Sequence, residues 1–129
     1  MDNMNEMQFT EGTFDALYGH KIIKIERDSI KTELLITSDH HQPMGLVHGG
    51  VYASMAEAAI SYAAYFTQEG VWVGVNNNTD FLKSAKEGQL ICEASPIKIG
   101  KRSQLWEAKI YNDSNLCAIS KVRLSNLNV

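Results

Sequence analysis

One stretch constrains this chain more than any other. VYASMAEAAISYAAYFTQEG, residues 51–70, is rich in alanine, with Gly50 before it and Gly70 at its end. Alanine is the best helix former, and a terminal glycine is a natural C-cap. Val51, Met55, Ala58, Ala59, Tyr62, Ala63 and Phe66 leave almost no polar face on such a helix. A helix that is apolar all round is normally buried in its own protein, so the rest of the chain is expected to wrap it.

The rest has the means to do so. KIIKIERDSIKTELLITSD alternates like two strands with a turn near Arg27, Asp28 and Ser29. VWVGVNNNTDFLK, QLICEASPIKIG, KRSQLWEAKIYND and LCAISKVRLSNLNV alternate in the same way. The breaks between them, at Lys86 to Gly88, Gly100 to Arg102 and residues 112–115, carry turn chemistry. Five or six consecutive strands with no helix between them imply an antiparallel sheet and an α+β class. Residues 1–20 are expected to be an N-terminal extension: an ill-ordered start, then a short helix around residues 9–18 with Phe9, Phe14 and Leu17 on one face. A length of 129 residues suits a single domain, 1–129. For so small a chain the surface-to-volume ratio favours self-association, and at least a dimer is expected.

Composition excludes some functions. With 44% hydrophobic and 21% charged residues the chain is an ordinary globular protein. A net charge of -3 provides no basic field for nucleic acid, and none is expected as a partner. The acidic start MDNMNEMQFTEGTF is not a signal peptide. Residues 47–66 are too interrupted by His48, Glu57 and small polar residues to make a membrane span, so a cytoplasmic protein is expected. Cys92 and Cys117 form no CxxC pair and are expected as buried free thiols.

Against that background Glu57 stands out. It lies mid-helix between Ala56 and Ala58. A buried carboxylate must be partnered, protonated or exposed to a cavity, because leaving it bare costs several kcal/mol. One reading puts it on a solvated stripe with Ser54 and Ser61. The other puts that stripe in an enclosed site, where the carboxylate attacks or activates water. Val47-His48-Gly49-Gly50 enters the same helix. A helix N-terminus offers unsatisfied N–H groups, and glycine lets a substrate reach them, which would suit an oxyanion. The same glycines could equally serve a tight loop-to-helix entry. His40, His41 and His48 lack a cysteine to complete a zinc set, so no metal is expected. No GxSxG elbow is present for a serine nucleophile.

The run HHQPMGLVHGGVYASMAEAAIS resembles the hot-dog-fold acyl-CoA thioesterases of the phenylacetate-degradation type, in which an antiparallel sheet wraps one long helix. It is closest in pattern to those acting on dihydroxynaphthoyl-CoA. The likeness continues through VGVNNNTDFLKSAKEG and GKRSQLWEAKIYNDSNLCAISKVRLS, covering roughly residues 32–125. Its specific element is Q-P-x-G-x-x-H-G-G with a carboxylate seven residues after the last glycine (57 − 50 = 7). The resemblance implies hydrolysis of acyl-CoA to free acid and CoA, with Glu57 as nucleophile or general base. It implies that the Gly49 N–H polarises the thioester carbonyl and that His48 and Gln42 orient the reacting groups. Ser61 would lie near the attacking water. Lys83, Ser84 and Lys86, with Gly100, Lys101 and Arg102, match positions that receive the nucleotide end of CoA. No cofactor is implied, since CoA belongs to the substrate. Sites would form where the helix of one subunit meets the loop of its partner, and dimers would pair into a homotetramer. Phe81 departs from some naphthoyl-specific members, which carry a histidine there, and this points to a more apolar acyl pocket. A hot-dog hydratase or dehydratase and a non-catalytic acyl-CoA-binding domain are the alternative readings.

Overall fold

The computed structural model describes residues 7–128. A helical turn α1 (Phe14–Leu17) precedes the hairpin β1 (Lys21–Glu26) and β2 (Ser29–Leu35). After an irregular loop comes the long helix α2 (Gly49–Thr67), then β3 (Trp72–Phe81), β4 (Gln89–Ile99), β5 (Ser103–Asn112) and β6 (Asn115–Asn126). The six strands form one sheet in the order β1-β2-β4-β5-β6-β3, antiparallel at every pairing. The expected α+β hot-dog architecture is therefore the observed one.

Strand alternation explains which face meets the helix. Ile30, Thr32 and Leu34 on β2 are buried towards α2, as are Leu90, Cys92 and Ala94 on β4. Gln104, Trp106, Ala108 and Ile110 on β5, with Ser120, Val122 and Leu124 on β6, complete the floor. The helix meets it with Met55, Ala56, Ala59, Ile60, Ala63 and Ala64, all fully buried, and the small alanines let helix and sheet approach closely. Cys92 and Cys117 are both buried and free. Among the described residues no helix is long and apolar enough to cross a membrane.

Four local features differ from the sequence reading. The N-terminal helix is one turn, Phe14–Leu17, rather than residues 9–18, because Gly12 and Gly19 bracket it with φ of 83° and 91°. Phe9 lies outside it and is buried against His20 and Tyr62, at centroid distances of 4.5 and 6.0 Å, whereas Phe14 and Leu17 are exposed. The three residues therefore share no face. The ill-ordered start expected before them lies largely outside the described residues. The long helix begins at Gly49, so both glycines are inside its first turn, and it ends on Gln68 rather than Gly70. Gly70 has φ of 143° and packs against Asn126, where a Cβ would overlap the amide. Finally, the break at residues 86–88, read as a turn, is part of a crossover: β3 pairs with β6 at the sheet edge, and residues 82–88 lead across to β4.

That crossover shapes the site. Val47 N–H donates to the Ala85 carbonyl at 2.9 Å and Ile36 N–H to the Gly88 carbonyl at 2.8 Å. The loop entering α2 and the loop leaving β3 are thereby stitched together.

Candidate active site

The helix N-terminus is organised by His48. It is the N-cap, with Nδ1 accepting from Gly50 N–H at 2.8 Å, and its carbonyl accepts from Val51 N–H at 2.9 Å. Because Nδ1 is an acceptor, the neutral ring carries its proton on Nε2, as a donor facing outward. Among the described residues the Gly49 N–H is left without a partner. It opens on a groove of about 300 Å³ lined by Gln42, Val47, Tyr52, Phe81, Lys83 and Ser84, among others. The Gln42 side chain is turned into its own loop, where its Oε1 accepts from Met44 N–H.

Glu57 sits two helical turns further on. Eight residues at 1.5 Å each place it about 12 Å along the axis from Gly49, so the single chain does not bring the Glu57 carboxylate to the Gly49 N–H. The side chain is exposed and lies beside a recess of about 140 Å³ lined by Phe14, Asp15, Ala53, Ser54 and Asn77. Its Oε1 accepts from Asn77 Nδ2 at 3.4 Å, and its Oε2 is turned over Gly74 of β3. Burial, and then the charge of Glu57, push the Asp15 carboxyl above the usual range. Ser61, half-buried one turn beyond, joins Asp15, Phe9, Ala58, Tyr62 and Tyr65 in an adjoining groove of about 480 Å³.

The basic residues divide. Lys83 and Ser84 line the Gly49 groove, where Lys83 Nζ donates to Asn115 Oδ1 at 2.9 Å. Lys86 lies next to them, and its carbonyl is within 2.8 Å of His41 Nε2. Gly100, Lys101 and Arg102 form the β4–β5 turn, where the Lys101 and Arg102 carbonyls accept from Asn126. That turn stands beside the Trp72 end of β3, whereas Lys83 follows its Phe81 end, so β3's length of roughly 30 Å separates the two clusters in one chain.

His40 is occupied structurally: Nδ1 accepts from Thr37 N–H at 2.9 Å, and Nε2 lies 2.7 Å from the Tyr18 carbonyl. Among the described residues no three His, Cys, Asp or Glu side chains are grouped to hold a metal ion.

Asp15, Gly74, Asn77 and Thr79 were not singled out from sequence. The signal for the last two was present as polar residues in the middle of a strand, Asn76 to Thr79, where apolar ones are the rule.

An antiparallel sheet wrapped around one long helix is the hot-dog fold. Residues 44–119 match the family model of the thioesterase superfamily, and the chain belongs to that family. The chain is 32% identical over 114 residues to the 1,4-dihydroxy-2-naphthoyl-CoA hydrolase of Escherichia coli, covering 86% of this chain and 81% of that protein. A solved Mycobacterium tuberculosis protein, provisionally named an esterase, is 38% identical with a TM-score of 0.85, covering 88% of this chain and 95% of its own. The crystal structure of a Haemophilus influenzae thioesterase is 30% identical with a TM-score of 0.84, covering 91% and 85%. The reaction class is thioester hydrolysis.

Proposed function

We propose that this chain hydrolyses acyl-CoA thioesters to free acid and CoA as a homo-oligomer, with Glu57 reacting opposite the Gly49 N–H of a second copy. The observation that carries the reading is the Gly49 N–H, without a partner among the described residues, which opens on a groove flanked by Phe81, Lys83 and Ser84. The E. coli relative, a CoA thioester hydrolase, supports CoA as the leaving group.

Two copies are needed because about 12 Å separates the donor from the acid within one helix. The outer edge of β3 offers the means: among the described residues β6 is the one strand paired with β3, and Val75 is 56% exposed. An open strand edge is a template for pairing. Joining two β3 edges carries the Glu57 side of one helix towards the glycine turn of the other. Such dimers then pair into a tetramer.

In that arrangement the thioester oxygen accepts from Gly49 N–H, with the positive end of the α2 dipole behind it. His48 Nε2–H is a second donor beside it, and Gln42 borders the same groove. Glu57 either attacks the carbonyl carbon, giving a mixed anhydride that water opens, or takes a proton from water that attacks directly. In both routes the C–S bond breaks and the CoA thiolate gains a proton. Ser61, one turn past Glu57, borders the water. Lys83, Ser84 and Lys86 of one copy, with Gly100, Lys101 and Arg102 of another, receive the phosphates. Phe81 and Tyr52 give the groove an aromatic wall, which suits an apolar or aryl acyl group.

The test is thiol release from a panel of short, long and aromatic acyl-CoAs, together with oligomer mass in solution. Glu57→Ala is expected to lower turnover on the order of 100-fold or more. Near wild-type hydrolysis by that variant across the panel, or hydration of crotonyl-CoA without thiol release, contradicts the assignment.

A further inference from the structure

Strand β3 turns polar side chains towards α2, beneath the candidate carboxylate. Asn77 and Thr79 are two residues apart, so both point the same way, and both are half-buried. Asn77 Nδ2 donates to the Ala53 carbonyl at 2.9 Å and to Glu57 Oε1 at 3.4 Å. Thr79 Oγ1 donates to Asn77 Oδ1 at 2.7 Å and lies 2.7 Å from Ser120 Oγ. Ser120 stands opposite Thr79 on β6 and is fully buried.

Proton counting fixes the direction of this chain. Thr79 has one hydroxyl proton, which goes to Asn77, so its lone pair accepts from Ser120. Ser120 donates to Thr79, Thr79 to Asn77, and Asn77 to Glu57 and to the Ala53 carbonyl. The reversed amide would set Oδ1 against two acceptors, the Ala53 carbonyl and the Glu57 carboxylate. The orientation is therefore determined from the Ala53 and Glu57 end.

A glutamate on a helix surface has three free torsions, and few of its rotamers bring an oxygen to a given point. Asn77 holds Oε1 back against the helix and leaves Oε2 over Gly74, where no side chain intervenes. We propose that Asn77 is a positioning residue for Glu57. It tethers one carboxylate oxygen so that the other is presented to the thioester, while Thr79 and Ser120 keep its amide in register. The proposal rests on Glu57 being the reacting carboxylate.

The experiment measures kcat, KM and thermal midpoint by thiol release for Asn77→Ala, Thr79→Val, Thr79→Ser and the Asn77→Ala/Thr79→Val pair, with Glu57→Ala as reference. Asn77→Ala is expected to lower kcat about ten- to a hundredfold, with KM nearly unchanged. Thr79→Val lowers it several-fold, and Thr79→Ser restores it. The pair is no worse than Asn77→Ala alone, because the two residues act in series. Where Asn77→Ala fails to fold, the nearly isosteric Thr79→Val and its serine rescue carry the test. Full kcat in Asn77→Ala or Thr79→Val beside an inactive Glu57→Ala overturns the positioning role alone. An active Glu57→Ala removes the reading beneath it, and the role with it.

Discussion

The Phe81 ring lies directly over Gly49: a Cβ built on that glycine would overlap it, with Cζ, Cε2 and Cε1 all within 3.0 Å. The glycine that leaves its N–H free thus also makes room for an aromatic side chain brought in from the end of β3. Phe81 is 61% exposed, and its other neighbour is Tyr52 at a centroid distance of 6.1 Å. The ring is exposed and borders the groove onto which the Gly49 N–H opens.

Gly49→Ala is therefore expected to keep the N–H and lose the access. The methyl displaces Phe81 into the groove, and kcat/KM is expected to fall about tenfold or more. Adding Phe81→Ala should recover much of that loss, because the clash then disappears. Thiol-release kinetics on the single and double variants check this, and equal activity of Gly49→Ala and the native chain contradicts it.

Phe81 also predicts selectivity. Replacing it with alanine removes an aromatic wall from the groove, which is expected to lower the preference for apolar and aryl acyl groups about tenfold relative to short polar ones. The readout is the ratio of kcat/KM values between a benzoyl-type and an acetyl-type thioester. An unchanged ratio would place the acyl group elsewhere, for example in the larger groove beside Ser61 and Tyr62.

Periodicity made most of the fold legible, because strand alternation and an all-apolar helix are imposed by burial itself. The β3–β4 connection was not legible in the same way. Residues 86–88 have turn chemistry whether the next strand pairs back or crosses the sheet, and only the pairing of β3 with β6 decides between them. Glu57 and the His48-Gly49-Gly50 turn were visible as one charge and two glycines out of place. Their partners were not, since Asn77 is 20 residues from Glu57 and Phe81 is 32 from Gly49 in sequence. Such contacts depend on the crossing of a strand over a helix, which no local pattern records. Phe9 illustrates the opposite error: its spacing with Phe14 and Leu17 suggested one helical face, but Gly12 turns the chain between them.

His20 gives the fold a pH limit. Its Nε2 lies 2.7 Å from Thr32 Oγ1 in a buried position under Phe9, and burial lowers its value to about 3. The unfolded value is about 6.5. Between the two the unfolded chain binds the proton and the folded chain does not, so stability drops as pH falls through that window. The slope reaches about 1.4 kcal/mol per pH unit. Urea midpoints measured at pH 7 and at pH 4.5 are expected to differ accordingly, and a His20→Gln variant should flatten the dependence. A native chain equally stable at both values contradicts a buried neutral imidazole.

Tyr52 makes a prediction of unusual sign. It is 3% exposed, and its buried hydroxyl has only the Cys117 thiol, a weak hydrogen-bonding partner, beside it among the described residues. Burying a hydroxyl so weakly partnered costs free energy that an apolar edge does not. Tyr52→Phe keeps the ring against Phe81 and removes only that oxygen, so it is expected to stabilise the protein, on the order of 1 kcal/mol. Thiol release should change little, because the groove keeps its aromatic wall. Denaturant melts of the two proteins decide it. A loss of stability would mean that the hydroxyl is bonded to Cys117 after all, and would make that thiol the first residue to replace in a double-mutant cycle with Tyr52.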